Sequence, residues 1–357
     1  MIRLPPQVDF PPSRSVLAAL AALLGHLAPA HAADDAVDSA TRKAIQFLIQ
    51  KQDARGAIRE TDSKETAITA LAALSMLAVG HQPCDSTPEG QALLKALQFL
   101  LNEDRQDREG YFGIRDNSQM YGHGIASLVL AECLGMGTDS ALDERIRQAC
   151  QKAIDLILRA QKVRKPEPYI GGWRYNPTSA DSDLSITVWQ TMALRAAKNA
   201  GLNVPADAIS SAVDYIKRLF KRAGDSRSRN PAGFGYTSPN PSWSTSTAGL
   251  LALQVCGEYT CPEVVATADY LLTTPPKKQL PWFYYGTYYY AQGMYQRGGE
   301  HAEQAARNVR EILLPLQEAD GSWAPVGGSE NTARIYRTAM AVLSLSVKYH
   351  YLPIYQR

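Results

Sequence analysis

The feature that most constrains this chain is an alternation between two kinds of helix, met six times in succession. One kind is amphipathic. In its third copy Ile146, Cys150, Ala153 and Ile157 fall on one stripe while Arg145, Gln148, Lys152, Asp155 and Arg159 fall off it, the spacing of a helix with one buried face. The same pattern predicts helices near Val37–Lys51, Gly90–Leu101, Ala206–Arg222, Pro262–Thr273 and Ala302–Gln317. The second kind is small, apolar nearly all round and rich in Thr, Ala and Gly. It is predicted over Thr66–Val79, His123–Leu134, Asp183–Ala200, Ser244–Cys256, Tyr285–Arg297 and Thr332–Tyr349. Gly80, Gly135, Gly201, Gly257 and Gly298 follow the first five, where a left-handed glycine caps a helix end.

A helix without a polar face must be covered on every side. Six such helices ringed by six amphipathic ones meet that need, whereas an open solenoid leaves each helix a solvent face. The expected fold is therefore all-α, an α6/α6 toroid (an α/α barrel) of six outer-helix/inner-helix repeats. It is expected as one domain over residues 33–357. The preceding stretch has Arg3 and Arg14 at the start of an apolar run, Val16 to Leu27, and then Ala30-His31-Ala32. That is the pattern of a signal peptide over residues 1–32, and it implies a periplasmic or secreted mature chain. No later stretch approaches the roughly 18 apolar residues of a spanning helix, so no transmembrane segment is expected.

Charge narrows the partners. Lys and Arg number 37 against 35 Asp and Glu, without a basic stripe, which argues against nucleic acid. Nothing in the pattern specifies an oligomeric state. Cys133 and Cys150 lie on apolar helix faces and read as small buried hydrophobes. Cys256 and Cys261 sit in one helix-to-helix turn, where a local disulfide and two free thiols are both open.

The connections from outer to inner helices are long and as a group rich in glycine and aromatics: 109–113, Gly171-Gly172-Trp173, 233–236, 282–285 and 320–323. All lead into inner-helix N-termini, so that end is the expected functional face. The third copy, Gly171 to Leu194, adds carboxylates, Asp181 and Asp183, immediately before an apolar helix. Two readings stay open. Asp183 is a helix cap, favoured in its ionised form by the helix end, or it faces the barrel as an acid with Thr187 and Gln190 following at helical spacing. His123, in Tyr121-Gly122-His123-Gly124, is either an orienting group or base for that carboxyl or a hydrogen-bonded structural residue. Trp282 to Tyr285 and Tyr288 to Tyr290 form the densest aromatic run, and tyrosines outnumber phenylalanines 18 to 7. This suits a polar-aromatic central cavity, lined by Tyr121, Tyr285, Tyr288 and Trp173 and holding a hydrophobic or polar-aromatic small molecule. Asp34-Asp35-Ala36-Val37-Asp38 lies outside the repeats, and Asn331 to Thr338 has no Asp, Cys or His. Neither magnesium nor zinc is indicated, and no cofactor is expected.

The repeats resemble the prenyltransferase/squalene-oxidase repeat superfamily, whose members fold as α/α barrels. Gln317-Glu318-Ala319-Asp320-Gly321-Ser322-Trp323 is similar to its Gln-and-Trp motif. Gly171-Gly172-Trp173, Asp181-Ser182-Asp183 and the helix with Trp189 are similar to the squalene-hopene cyclase segment that bears an Asp-x-Asp-Asp motif. The tail Tyr349-His350-Tyr351-Leu352-Pro353 resembles that of single-barrel exported bacterial proteins with these repeats. The resemblance implies that Asp183 is the acid that protonates a carbon-carbon double bond, with Asp181 as the motif's first member and Leu184 in place of its last carboxylate. It thus implies a terpenoid-cyclase-like protein, carrying out metal-independent class II cyclisation or isomerisation of a polyprenyl or other unsaturated lipid. Two other functions fit such a toroid: non-catalytic binding of a lipid, glycan or protein, and carbohydrate lysis or hydrolysis. The latter needs a paired acid and base drawn from Asp183, Glu65 and His123.

Overall fold

The computed structural model describes residues 36–61, 63–222, 232–327 and 333–356. The expected signal segment, residues 1–32, lies outside them. Among the described residues there are twelve α-helices: α1 (36–50), α2 (Glu65–Ala78), α3 (Pro88–Leu100), α4 (Gln119–Glu132), α5 (Ser140–Gln161), α6 (Leu184–Asn199), α7 (Ala206–Arg218), α8 (Trp243–Val255), α9 (Pro262–Thr273), α10 (Phe283–Arg297), α11 (Gly299–Leu313) and α12 (Arg334–Leu345). One two-residue ribbon pairs β1 (Phe220–Lys221) antiparallel to β2 (Gly233–Phe234).

The even-numbered helices form a ring. Each packs on the next even helix, and α12 packs back on α2. The odd-numbered helices lie outside, with α5 against α4 and α6, α7 against α6 and α8, and α11 against α10 and α12. Burial follows the two sequence patterns. In α8 every residue but Thr245 is buried, whereas α11 buries only Ala305, Val309 and Leu313, one amphipathic stripe. The fold is the expected α/α toroid.

Two hydrogen-bond devices recur and set the register. Gln52 donates its side-chain amide to Gly56 O (3.0 Å) and to Ala92 O of the next outer helix (2.8 Å). Gln106 does so to Gly110 O and Ala149 O, Gln161 to Gly171 O and Ala208 O, and Gln317 to Gly321 O and Ala40 O. These glycines have φ near +90°, and a Cβ on Gly56 would fall 2.2 Å from the Lys95 carbonyl oxygen. Only glycine allows that approach. The second device joins each loop to its inner helix. The amides of Ile58, Phe112, Trp173, Phe234 and Trp323 donate to Thr69 Oγ1, His123 Nδ1, Thr187 Oγ1, Ser246 Oγ and Thr338 Oγ1 at 3.0 to 3.3 Å. Thr287 holds this register position in α10, whose preceding loop lacks the glycine-aromatic strand. Its buried Oγ1 has no hydrogen-bond partner.

Some expected helix boundaries move, and one open alternative closes. Helix α4 begins at Gln119, four residues before His123, because burial overrides the weak helix propensity of Gly122 and Gly124. A Cβ on Gly124 would meet Gln190 Nε2 at 2.5 Å, so the glycine lets α4 and α6 approach. Cys256 and Cys261 are both free thiols, at the end of α8 and the start of α9 respectively.

Candidate ligand site at the barrel mouth

Asp183 is the N-cap of α6 and fully buried. Its amide bonds Trp173 O at 2.9 Å, which closes the Trp173–Asp183 loop as a narrow hairpin and brings Arg174 beside the carboxyl. Asp183 Oδ1 accepts from the Ile186 amide (2.9 Å) and the Ser185 hydroxyl (2.7 Å), and Oδ2 accepts from Arg174 Nη1 (3.0 Å). Burial pushes this carboxyl above its ordinary value, against the pull of Ser185, Ile186 and Arg174. All three contacts treat it as an acceptor, so the site as built holds the ionised form.

Arg174 organises the rest of the rim. Its Nε reaches Asp181 Oδ2 (3.3 Å), and its guanidinium lies over the rings of Tyr175 (4.9 Å) and Tyr236 (5.4 Å). Tyr175 and Tyr236 share a hydroxyl hydrogen bond of 2.6 Å. From the neighbouring inner helix, Tyr121 donates to Ser185 Oγ at 2.6 Å, which in turn donates to Asp183. A chain of hydroxyls thus runs from Tyr121 to the carboxylate. Tyr285, on α10 across the ring from α4, is raised by burial and by the charges of Tyr121 and Asp183. Tyr285 stands near the start of α10, as Tyr121 and Asp183 stand near the starts of α4 and α6, so the three belong to the same end of the barrel.

Below the rim the axis is filled. Trp189 stacks on Tyr288 (6.0 Å between centroids) and meets Tyr289 edge-on (5.9 Å), and Tyr285 packs on Tyr289 at 4.6 Å. Trp189, Tyr288 and Tyr289 are at most 1% exposed, whereas Tyr121, Arg174, Tyr175 and Tyr236 stay partly open. The expected central cavity is therefore a rim with an aromatic floor. A pocket of about 260 Å³ lies elsewhere, lined by Val37, Ala302, Ala305, Val309 and Val347 at the outer layer, and has no part in this chemistry.

Of the residues the sequence singled out, Asp183, Asp181 and Tyr121 are joined through Ser185 and Arg174, and Tyr285 packs on Tyr289 at the same end of the barrel. His123 stands apart. Its Nδ1 accepts the Phe112 amide and its Nε2 donates to Ala153 O (3.1 Å), so it faces the outer layer as a neutral imidazole. Thr187 and Trp173 are joined to each other in the repeat's loop-to-helix bond, and Gln190 ties α6 to Met120 O at 2.7 Å. Tyr288 bonds the C-terminal Tyr355 instead of the mouth. Glu65 is enclosed by Arg55 (2.9 Å), Arg105 and Arg59 (3.7 Å). The acid–base pair that carbohydrate chemistry requires is thus not formed from Asp183, Glu65 and His123. Sequence reading missed Arg174, Tyr175, Ser185 and Tyr236. The signal for Arg174 is its place next to Trp173, whose bridge to Asp183 brings it beside the carboxyl.

No family model matches the chain, and no curated protein matches it. Solved structures do. The type II terpene cyclase MstE from Scytonema is 16% identical, with a TM-score of 0.57 over 90% of this chain and 99% of that one. A substrate complex of that cyclase holds geranylgeranyl dihydroxybenzoate. The α-1,6-mannanase of a Salegentibacter species is 9% identical, with a TM-score of 0.61 over 88% and 99% of the two chains. Cellobiose 2-epimerase from Bacillus thermoamylovorans is 12% identical, with a TM-score of 0.58 over 87% and 99%. At these identities the likeness establishes the α/α toroid and leaves chemistry to the site.

Proposed function

We propose that this chain is an exported toroid that binds a small ligand with an unsaturated or aromatic apolar body at the barrel mouth. The rings of Tyr121, Tyr175, Tyr236 and Tyr285 hold the body, and the Asp183–Arg174 pair sets the polar end. The observation that supports binding over catalysis is the Arg174 contact to Asp183 Oδ2. With both oxygens accepting, Asp183 is poised to fix donors, and it gives up no proton while the pair persists. Acid-initiated cyclisation or isomerisation of an unsaturated lipid is the second reading, supported by the complete burial of Asp183 and its raised carboxyl. That reaction needs the carboxyl protonated and parted from Arg174.

The discriminating experiment titrates the mature protein with polyprenyl alcohols and with oligosaccharides, follows binding calorimetrically, and analyses the mixtures by mass spectrometry. The expected outcome is saturable binding of the polyprenyl series without product. Turnover that disappears in Asp183→Asn replaces binding with the acid reading. Saturable binding of oligosaccharides alone, or of neither panel, sinks both.

A further inference from the structure

The opposite end of the barrel holds another buried carboxyl, Glu132, that no repeat copies. Counting from the loop-bonding positions Thr69, His123, Thr187, Ser246, Thr287 and Thr338, the ninth residue onward is Ala78, Glu132, Ala196, Val255, Gln296 and Val347. This last inner layer is therefore apolar except for Glu132 and Gln296. Glu132 is 4% exposed, and no cation faces it among the described residues. Its Oε2 accepts the amide of Ile354 at 3.4 Å.

Ile354 belongs to the C-terminal segment that crosses this end. Leu352, Ile354 and Tyr355 are each at most 6% exposed, and the Pro353–Tyr355 turn packs on α6. The Tyr355 hydroxyl bonds that of Tyr288, and the Tyr355 carbonyl accepts from Gln296 Nε2. Two further features mark the segment as a separable piece. His350, where it leaves the barrel wall, has φ +58°, an unfavourable conformation for a non-glycine residue. A crevice of about 10 Å³, lined by Ala78, Gln292, Val347, His350 and Tyr355 among others, lies along its edge with the inner helices.

We propose that residues 350–356 are a pH-sensitive stopper for the far end of the barrel, seated over the buried, cation-free Glu132 and released when that side chain carries a charge. The groups within reach of its charge are Cys133 on α4, Tyr288 on α10 and Tyr355 on the segment itself, while α2 and α6 present Ala78 and Ala196 at that level. None supplies a countercharge. Burial pushes the carboxyl from the ordinary 4.5 up to about 8, outweighing the Ile354 amide, which pulls it down. A group whose value is raised in the seated state favours seating most below its free value and loses that contribution as pH rises to the seated value. Seating is therefore firmest below 4.5 and weakens up to about 8.

The test is amide hydrogen exchange of the full mature chain between pH 6 and 9, with protection of residues 350–356 corrected for intrinsic rates. Protection of that segment is expected to fall roughly tenfold or more across the range while α4 and α10 stay protected. Glu132→Gln, which mimics the neutral acid, is expected to hold protection constant. Tyr355→Ala is expected to leave the segment unprotected at every pH, and it keeps the test decisive should the Gln variant fail to fold. Constant protection in the unmodified chain, the same pH trend in Glu132→Gln, or full protection in Tyr355→Ala overturns the proposal.

Discussion

Gln317 donates its side-chain amide to the Ala40 carbonyl, a 2.8 Å bond between residues 277 apart in sequence. It joins the last repeat to the first helix, as Gln52, Gln106 and Gln161 join theirs to the next. Gln317→Ala removes this bond and the one to Gly321 O, and should cost about 1–3 kcal/mol of stability. Chemical denaturation measures the loss, and hydrogen exchange in residues 36–50 locates it. Unchanged protection of α1 would show that closure rests on side-chain packing alone.

The glycine that accompanies that glutamine faces a sharper restriction. Gly321 has φ +89°, and a Cβ there would lie 2.4 Å from the Lys43 carbonyl oxygen, whereas Gly201 has φ +80° with nothing within 4 Å. Both positions penalise alanine for its left-handed backbone, by about 1 kcal/mol. Only Gly321→Ala also forces two outer elements apart. It should therefore lower the melting temperature clearly more than Gly201→Ala, and equal losses would refute close approach as the reason for this glycine.

His123 occupies the position that threonine or serine takes in the other repeats, and its acid behaviour follows. The buried ring is held neutral, with its value pushed down from 6.5 to about 3 by desolvation. The unfolded chain takes up a proton near 6.5 while the fold resists until about 3, so stability falls as pH drops through that window. His123→Thr keeps an acceptor for the Phe112 amide but vacates ring volume, for a cost of about 2 kcal/mol at neutral pH. Its stability should then decline less steeply than the parent's between pH 6 and 4. Parallel curves would mean that His123 titrates normally.

Much of the fold was legible because helix periodicity and cap glycines are local signals: Pro262–Thr273 has the boundaries its pattern predicts, and the six all-apolar segments are the inner ring. Closure was legible by elimination, since a helix such as α8 has no face to give to solvent. The site was less so. Asp183, Asp181, Tyr121 and Tyr285 were found through their positions at inner-helix starts, but the contact that decides Asp183's chemistry comes from Arg174, nine residues earlier and brought near only by the hairpin. His123 misled because sequence alone does not say which side of an all-apolar helix faces the axis. Glu132 escaped notice for the opposite reason. A single carboxylate at a helix end reads as solvated, but here it is buried and the returning C-terminal segment bonds it.

The Arg174–Asp183 pair makes a prediction that separates structural from chemical roles. Arg174 is partly exposed and Asp183 is not, so removing the arginine strands a buried carboxylate that keeps only the Ser185 and Ile186 donors. Arg174→Gln should destabilise by about 3 kcal/mol at neutral pH, the low end for a broken buried pair because the arginine reaches solvent. Burial then raises the Asp183 carboxyl further, so the loss should shrink as the pH is lowered and the carboxyl takes up a proton. Asp183→Asn keeps the cap, since Asn and Asp cap about equally well, and removes the charge. The double variant should accordingly regain most of what Arg174→Gln loses, a coupling of about 1–3 kcal/mol in a double-mutant cycle. Denaturant midpoints at pH 5 and pH 8 measure both effects. Additive losses that do not change with pH would mean that the pair is a surface contact without consequence, and the mouth would then have to fix its ligand through the tyrosine hydroxyls alone.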